Sequence, residues 1–243
     1  MVFLRPHYTH VIDFNGSRAG EKQRLSGSLK RFADEETRET KRLEFDLDGN
    51  VDPETYHGML EGKADETLAP FVFSVPPRVH AKGSITGSGN GAETDYAFSG
   101  QSAGGLRYYG FPLTTVSVTG TVRNADVHLD DIHFTAVGGD GVGKATLSGA
   151  VGLQTLGFDV YLNGADLPAT IRAVQEYERG SVGTKAPAAK DDDLIKRATG
   201  GRLDIAMSAQ GRPGDLPSFT GTGNAAVTRA NLGEIQLFGL LSQ

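Results

Sequence analysis

Six histidines, His7, His10, His57, His80, His128 and His133, are the first side chains to test for chemistry. His128 and His133 flank Asp130 and Asp131. If residues 125–129 and 132–137 form one bulged strand or a tight hairpin, the two imidazoles become neighbours. Zinc ordinarily takes a third protein ligand and outer groups that orient the ligands. None stands at telling spacing, so no metal is expected. Asp191, Asp192 and Asp193 lack the alternating oxygen ligands and turn glycine of a calcium loop. They read as a solvated loop or a helix start at 193–195. Nucleophilic catalysis needs a serine, threonine or cysteine activated by a base. Ser84, Ser88, Ser99 and Ser102 occupy polar, glycine-rich stretches with no Gly-x-Ser-x-Gly elbow, and read as surface or turn residues. The glycine runs 87–91 and 138–143 are followed by no helical periodicity, which a phosphate loop requires. They read as turns and bulges between strands. Paired glycosidase carboxylates can lie far apart in a chain. Sugar sites commonly present aromatic platforms, however, and this chain has no tryptophan. The residue types point to binding or scaffolding without catalysis, metal or cofactor.

Composition narrows the class. The chain has 243 residues, a formal charge of −6 and no cysteine, so disulfides and thiolate metal sites are excluded. That fits a reducing cytosol or an envelope protein built without disulfides. The acidic balance and scattered basic pairs argue against nucleic acid. Glycine is the outlier: 33 residues, about twice the usual ~7% and without a period of three. No apolar run approaches the ~18 residues of a membrane helix, and the apolar start before Arg5 is too short for a signal peptide. Asn15-Gly16-Ser17 forms a glycosylation triplet of a kind common by chance.

Period-two alternation dominates. Leu43, Phe45 and Leu47 alternate with Glu44, Asp46 and Asp48. Phe158, Val160 and Leu162 alternate with Asp159, Tyr161 and Asn163, and Leu203, Ile205 and Met207 with Asp204, Ala206 and Ser208. Each set predicts a strand with one apolar face. Further strands are expected at 8–14, 71–75, 79–83, 114–122, 125–129, 132–137, 144–148 and 224–228. One helix is predicted over 166–178, with Asp166 as cap, Pro168 in the first turn, an apolar stripe of Leu167, Ile171 and Val174, and Gly180 as terminator. A shorter one is predicted over 54–60. The segment 47–56 aligns without gaps on 162–171: a strand, a tight glycine turn and a proline-started helix, repeated after 115 residues. Residues 179–193 read as an exposed loop.

The C-terminal stretch carries the most specific pattern. A Gly221-x-Gly223 strand is followed by Leu232-x-x-Ile235-x-Leu237-Phe238-Gly239-x-Leu241-Ser242. Upstream lie Asp131-Ile132-His133-Phe134, the Gly138-Gly139 turn, the alternation through 143–149 and Asp166-Leu167. From about Pro76 onward this resembles the AsmA-like proteins, whose repeating unit is a series of β-hairpins ending in a short helix that opens with Asp-Leu. The resemblance implies a mainly β fold: an elongated, curved antiparallel β-sheet forming a repeating β-groove, with one or two short helices. Expected units are 1–75, the end of a preceding β repeat; 76–178, a β repeat ending in a short helix; 179–201, a flexible loop or linker; and 202–243, the start of a truncated C-terminal β module.

The resemblance also implies a role. It is that of a non-enzymatic, periplasmic protein, inner-membrane associated at full length, that supports outer-membrane biogenesis or intermembrane lipid transport. The partners implied are lipid acyl chains and envelope proteins. A membrane anchor is expected in the full-length protein and is not found in this sequence, so the chain is expected to be a fragment. Burying each CH₂ of an acyl chain contributes ~0.8 kcal/mol, so an apolar stripe suffices to carry one. The expected lipid-lining residues are Leu43, Phe45, Leu47, Phe158, Val160, Leu162, Leu203, Ile205 and Met207. Alternation alone allows the same residues to fill a closed core. A second reading is a structural or adhesive all-β repeat binding protein or glycan by strand addition. A third is a carbohydrate-active or glycan-binding β domain.

Overall fold

A computed structural model describes residues 7–18, 20–50, 71–87, 91–108, 111–150, 153–181, 200–213 and 215–229. It is mainly β. Eleven strands make one antiparallel sheet: β1 (His7–Arg18), β2 (Glu21–Ala33), β3 (Thr40–Asn50), β5 (Arg78–Thr86), β6 (Glu93–Ser102), β9 (Thr115–Arg123), β10 (Asp126–Ala136), β11 (Gly139–Ser148), β12 (Thr155–Asp166), β13 (Arg202–Gly211) and β14 (Thr220–Thr228). That is also their order across the sheet. A second sheet pairs β4 (Phe71–Phe73), β7 (Leu106–Tyr108) and β8 (Phe111–Leu113). The large sheet is an open meander. β1 and β14 are not bonded to each other, so it does not close into a barrel. It runs without interruption through 75/76, by β3–β5 pairing, and through 201/202, by β12–β13 pairing.

Cross-strand partners share a face, and a slip of one residue would exchange the faces. Two bulges protect this parity. In β10, Leu129 and Ile132 are three apart in sequence and would point to opposite faces of a regular strand. Ladder positions shift between them, absorbing Asp130, and both point to the same side. In β12 a bulge between Leu162 and Ala165 does the same. The expected strands 125–129 and 132–137 are therefore one bulged strand. The β10–β11 hairpin turns on Val137 (φ 45) and Gly138 (φ 76), both left-handed as a two-residue hairpin requires. Valine rarely adopts this conformation. Here its carbonyl accepts the Asp166 N–H at 2.9 Å, tying the turn to the end of β12.

The helix α1 (Leu167–Ser181) follows β12 directly. Asp166 caps it: the Ala169 N–H donates to Asp166 Oδ1 at 2.9 Å, and the Thr170 hydroxyl to the Asp166 carbonyl at 2.8 Å. Leu167, Thr170 and Ala173 are buried and Ile171 packs on the core. Val174, expected on that stripe, is 43% exposed, because the buried side is centred on Thr170 and Ala173. The helix continues through Gly180 rather than ending there. The core cluster, Ala136, Leu162, Ala165, Leu167 and Leu203, lies where the sheet meets α1, with Phe111 and Leu113 of β8 packed on it.

Several expectations need correction. β2 and β6 are full strands that apolar alternation does not reveal, because glycine takes the place of an apolar residue in each: Leu25, Gly27, Leu29 and Tyr96, Phe98, Gly100. Of the run 138–143, Gly138 is in the turn, but residues 139–143 belong to β11. Ser84, Ser99 and Ser102 lie in strands, and Ser102 is buried. The repeat also diverges: Gly164 sits at a bulge with φ 67, whereas Gly49 stays in regular register. The helix expected over 54–60, His57, Ser88, Asp191, Asp192 and Asp193, and most of the loop 179–193 fall outside the described residues.

Candidate functional site: an apolar sheet face

Following the ladder from strand to strand assembles whole rows of side chains. One row runs Ile12, Gly27, Leu47, Ala81, Phe98, Gly120, Leu129, Ala145, Phe158, Ala209, Gly221. The adjacent row runs Phe14, Leu25, Gly49, Val79, Gly100, Val118, Ile132, Gly143, Val160, Met207, Gly223. Both cross all eleven strands, and neither holds a polar side chain. At ~4.8 Å between strands, ten steps make each row about 48 Å long.

All nine expected lining residues belong to this face. Leu47, Phe158, Val160 and Met207 lie in the two rows. Leu43 and Phe45 follow by alternation along β3, and Leu162 pairs with Ile205 next to Leu203. Leu162 and Leu203 are buried in the core cluster with Ile205 packed on it, whereas away from α1 the face is not sealed. Phe14 is 47%, Val79 40% and Met207 44% exposed, and among the described residues no large side chain is fully buried. The described elements packed on the face gather at its α1 end, with Phe219 against Phe158 at 6.1 Å between ring centres.

Glycine shapes the surface. Gly83 lies between Phe45 and Tyr96 in the ladder, and their rings meet across it at 5.7 Å. A Cβ at Gly83 would collide with the Asp95 carbonyl and with Tyr96. At Gly141 the Phe134 ring occupies the space a Cβ would need. Large side chains thus lie over Gly83 and Gly141 of the neighbouring strand. Burial of Tyr96 pushes its phenol above the ordinary tyrosine range.

The opposite face is polar. Asp46 lies 2.9 Å from both Lys82 Nζ and His80 Nε2. Its carboxyl is held below the usual carboxylate range, first by Lys82 and then by His80, and the Lys82 ammonium is raised in return. Arg78 pairs with Asp48 at 3.3 Å. His128 and His133 share this face, but they oppose Thr121 and Ser117, four positions or about 13 Å apart along β9. His133 Nε2 instead meets Asp131 at 2.9 Å. Among the described residues, no three His, Cys, Asp or Glu side chains gather as a metal cage.

Sequence reading found nine residues of the face and missed most of the rows. Ile12, Leu25, Val79, Phe98, Val118, Leu129 and Ile132 come together only through register. A usable signal was present: counting glycine as apolar extends the alternation through β2, β6 and β11. No helix among the described residues is long and apolar enough to cross a membrane. Compared with family models, curated proteins and solved structures, the chain matches none.

Proposed function

We propose that this chain is a lipid-holding β-groove of the AsmA-like kind, part of a periplasmic, inner-membrane-associated protein that supports outer-membrane biogenesis or moves lipid between membranes. One observation carries the reading: two adjacent rows of apolar residues and glycine cross eleven strands without a polar interruption. Such a surface gains ~25 cal/mol for each Å² of apolar area covered, and an acyl chain laid across the strands covers it. Ordinary one-sided sheets bury such a face against a second layer. Holding a chain this way needs no catalytic group, so the proposed activity is non-enzymatic. The polar face, with its Asp46–Lys82 and Asp48–Arg78 pairs, keeps the other side solvated.

The test is lipid content. Native mass spectrometry of the purified chain should show bound lipid, and the protein should take up a fluorescent fatty acid. Leu129→Asp, which puts a charge in the middle of a row, should reduce uptake. Thr121→Asp, on the polar face of the neighbouring strand, should not. Purification free of lipid together with no uptake by the folded protein overturns the proposal.

A further inference from the structure

The apolar face has a cationic corner. Arg31 is the one arginine that the pairing places on this face of β2 through β14, beside Leu43 and across from Tyr8. Its Nε–H donates to Thr40 Oγ1 at 2.7 Å, an Nη2–H donates to the Arg38 carbonyl, and its guanidinium carbon lies 5.4 Å from the Tyr8 ring centre. The Tyr8 ring in turn meets His10 edge-on at 4.5 Å. Arginine carries five N–H donors, and two are used among the described residues. Among the described residues, no carboxylate lies within ion-pair distance of Arg31, whereas Arg42, Arg78, Arg123 and Arg212 each have one and Arg24 and Arg202 do not. A part-buried guanidinium with no counter-ion among the described residues, oriented by a hydroxyl, a carbonyl and a ring, keeps N–H donors that an anion can accept from.

We infer that Arg31 holds the acidic head group, carboxylate or phosphate, of a single amphiphile whose tail lies over Leu43, Phe45 and Tyr96. This rests on the lipid reading above and adds its polarity: the head group sits at the β2 end of the face and the tail points toward β9. Four strand spacings from β2 to β9 give about 19 Å, room for one extended acyl tail. The planar fork fits both acids, since carboxylate and phosphate oxygens each accept two parallel N–H donors.

The test uses the whole chain and displacement of Nile red, a neutral dye, by three amphiphiles of equal tail length: laurate, dodecyl phosphate and dodecanol. In the wild type the acids should bind roughly ten- to a hundredfold tighter than dodecanol, the worth of one or two charge-assisted hydrogen bonds. Arg31→Gln should bring the acids down to dodecanol and leave dodecanol unchanged, while Arg31→Lys should keep part of the preference. Thr40→Val, which loosens the guanidinium without removing it, should weaken the acids alone and serves if Arg31→Gln loses its sheet circular dichroism. Tighter binding of laurate identifies a carboxylate head, and tighter binding of dodecyl phosphate a phosphate head. Equal affinity for acids and alcohol in the wild type, or an acid preference surviving in Arg31→Gln, overturns the head-group site while leaving the groove. A folded wild type that binds neither Nile red nor dodecanol overturns both.

Discussion

Gly141→Ala adds one methyl group, and the structure says where it goes. Gly141 is buried on β11 opposite Phe134, whose ring lies over it, and a Cβ there would stand under 3.0 Å from three ring atoms. Phe134 cannot simply swing away, because it packs on the core cluster beside α1. Overpacking of this kind costs about 1–3 kcal/mol. For a chain of this size that lowers the thermal midpoint by roughly 2–12 °C. Gly223 is the matched control. It lies on the same face in β14, and a Cβ there meets nothing closer than the Ala206 carbonyl at 3.7 Å. Gly223→Ala should therefore stay within about 0.5 kcal/mol of the wild type. Urea unfolding followed by circular dichroism measures both, with the slope checked for constancy. In the Gly141→Ala background, Phe134→Leu should recover stability, with a coupling above about 0.5 kcal/mol. If the two glycine variants lose equally, or Gly141→Ala is neutral, the Phe134 ring is not what requires glycine at 141.

Three further outcomes follow from the geometry. Deleting Asp130 removes the extra residue of the β10 bulge and keeps Leu129 and Ile132 on one face, so the variant should fold. Deleting Thr119 from the unbulged partner β9 flips half that strand and should abolish the cooperative melt. Asp166→Ala removes the cap from the Ala169 N–H and should cost about 1 kcal/mol in urea unfolding, while Asp166→Asn should cost less. The Asp46 carboxyl is depressed first by Lys82 and then by His80, so its contribution to stability is full above the unfolded carboxylate value. That contribution is lost as pH falls through the lower folded value. The difference in melting temperature between wild type and Asp46→Asn should therefore shrink below about pH 4. A difference that grows on acidification would contradict the assignment.

The strands most visible in the sequence were those whose inward residues are all large, such as Leu43, Phe45 and Leu47 in β3. β2 and β6 stayed hidden because Gly27 and Gly100 stand at inward positions, where the β3 backbone crowds Gly27 and the Val118 side chain lies against Gly100. The cap of α1 was legible because Asp166 and Pro168 act within one turn. Of its stripe, Leu167 and Ile171 were legible too, but the centring on Thr170 and Ala173 was not, since α1 leans on β8 and no local pattern says where β8 lies. Arg31 had no signal at all. Its role depends on Tyr8 and Thr40, brought to it from the strands on either side.

Alternation is a property of the chain itself, since successive side chains point to opposite sides of any strand. By itself the sequence therefore determined a glycine-rich β protein with one apolar side per strand, and one capped helix. Which sides join was a matter of tertiary structure. Ladder register, with the bulges at Asp130 and Gly164 correcting its parity, aligned separate apolar sides into unbroken rows and placed Arg31, which has no ion pair among the described residues, at their corner. Register depends on hydrogen bonds between residues distant in sequence, and a shift of one residue would have scattered the same apolar side chains over both faces.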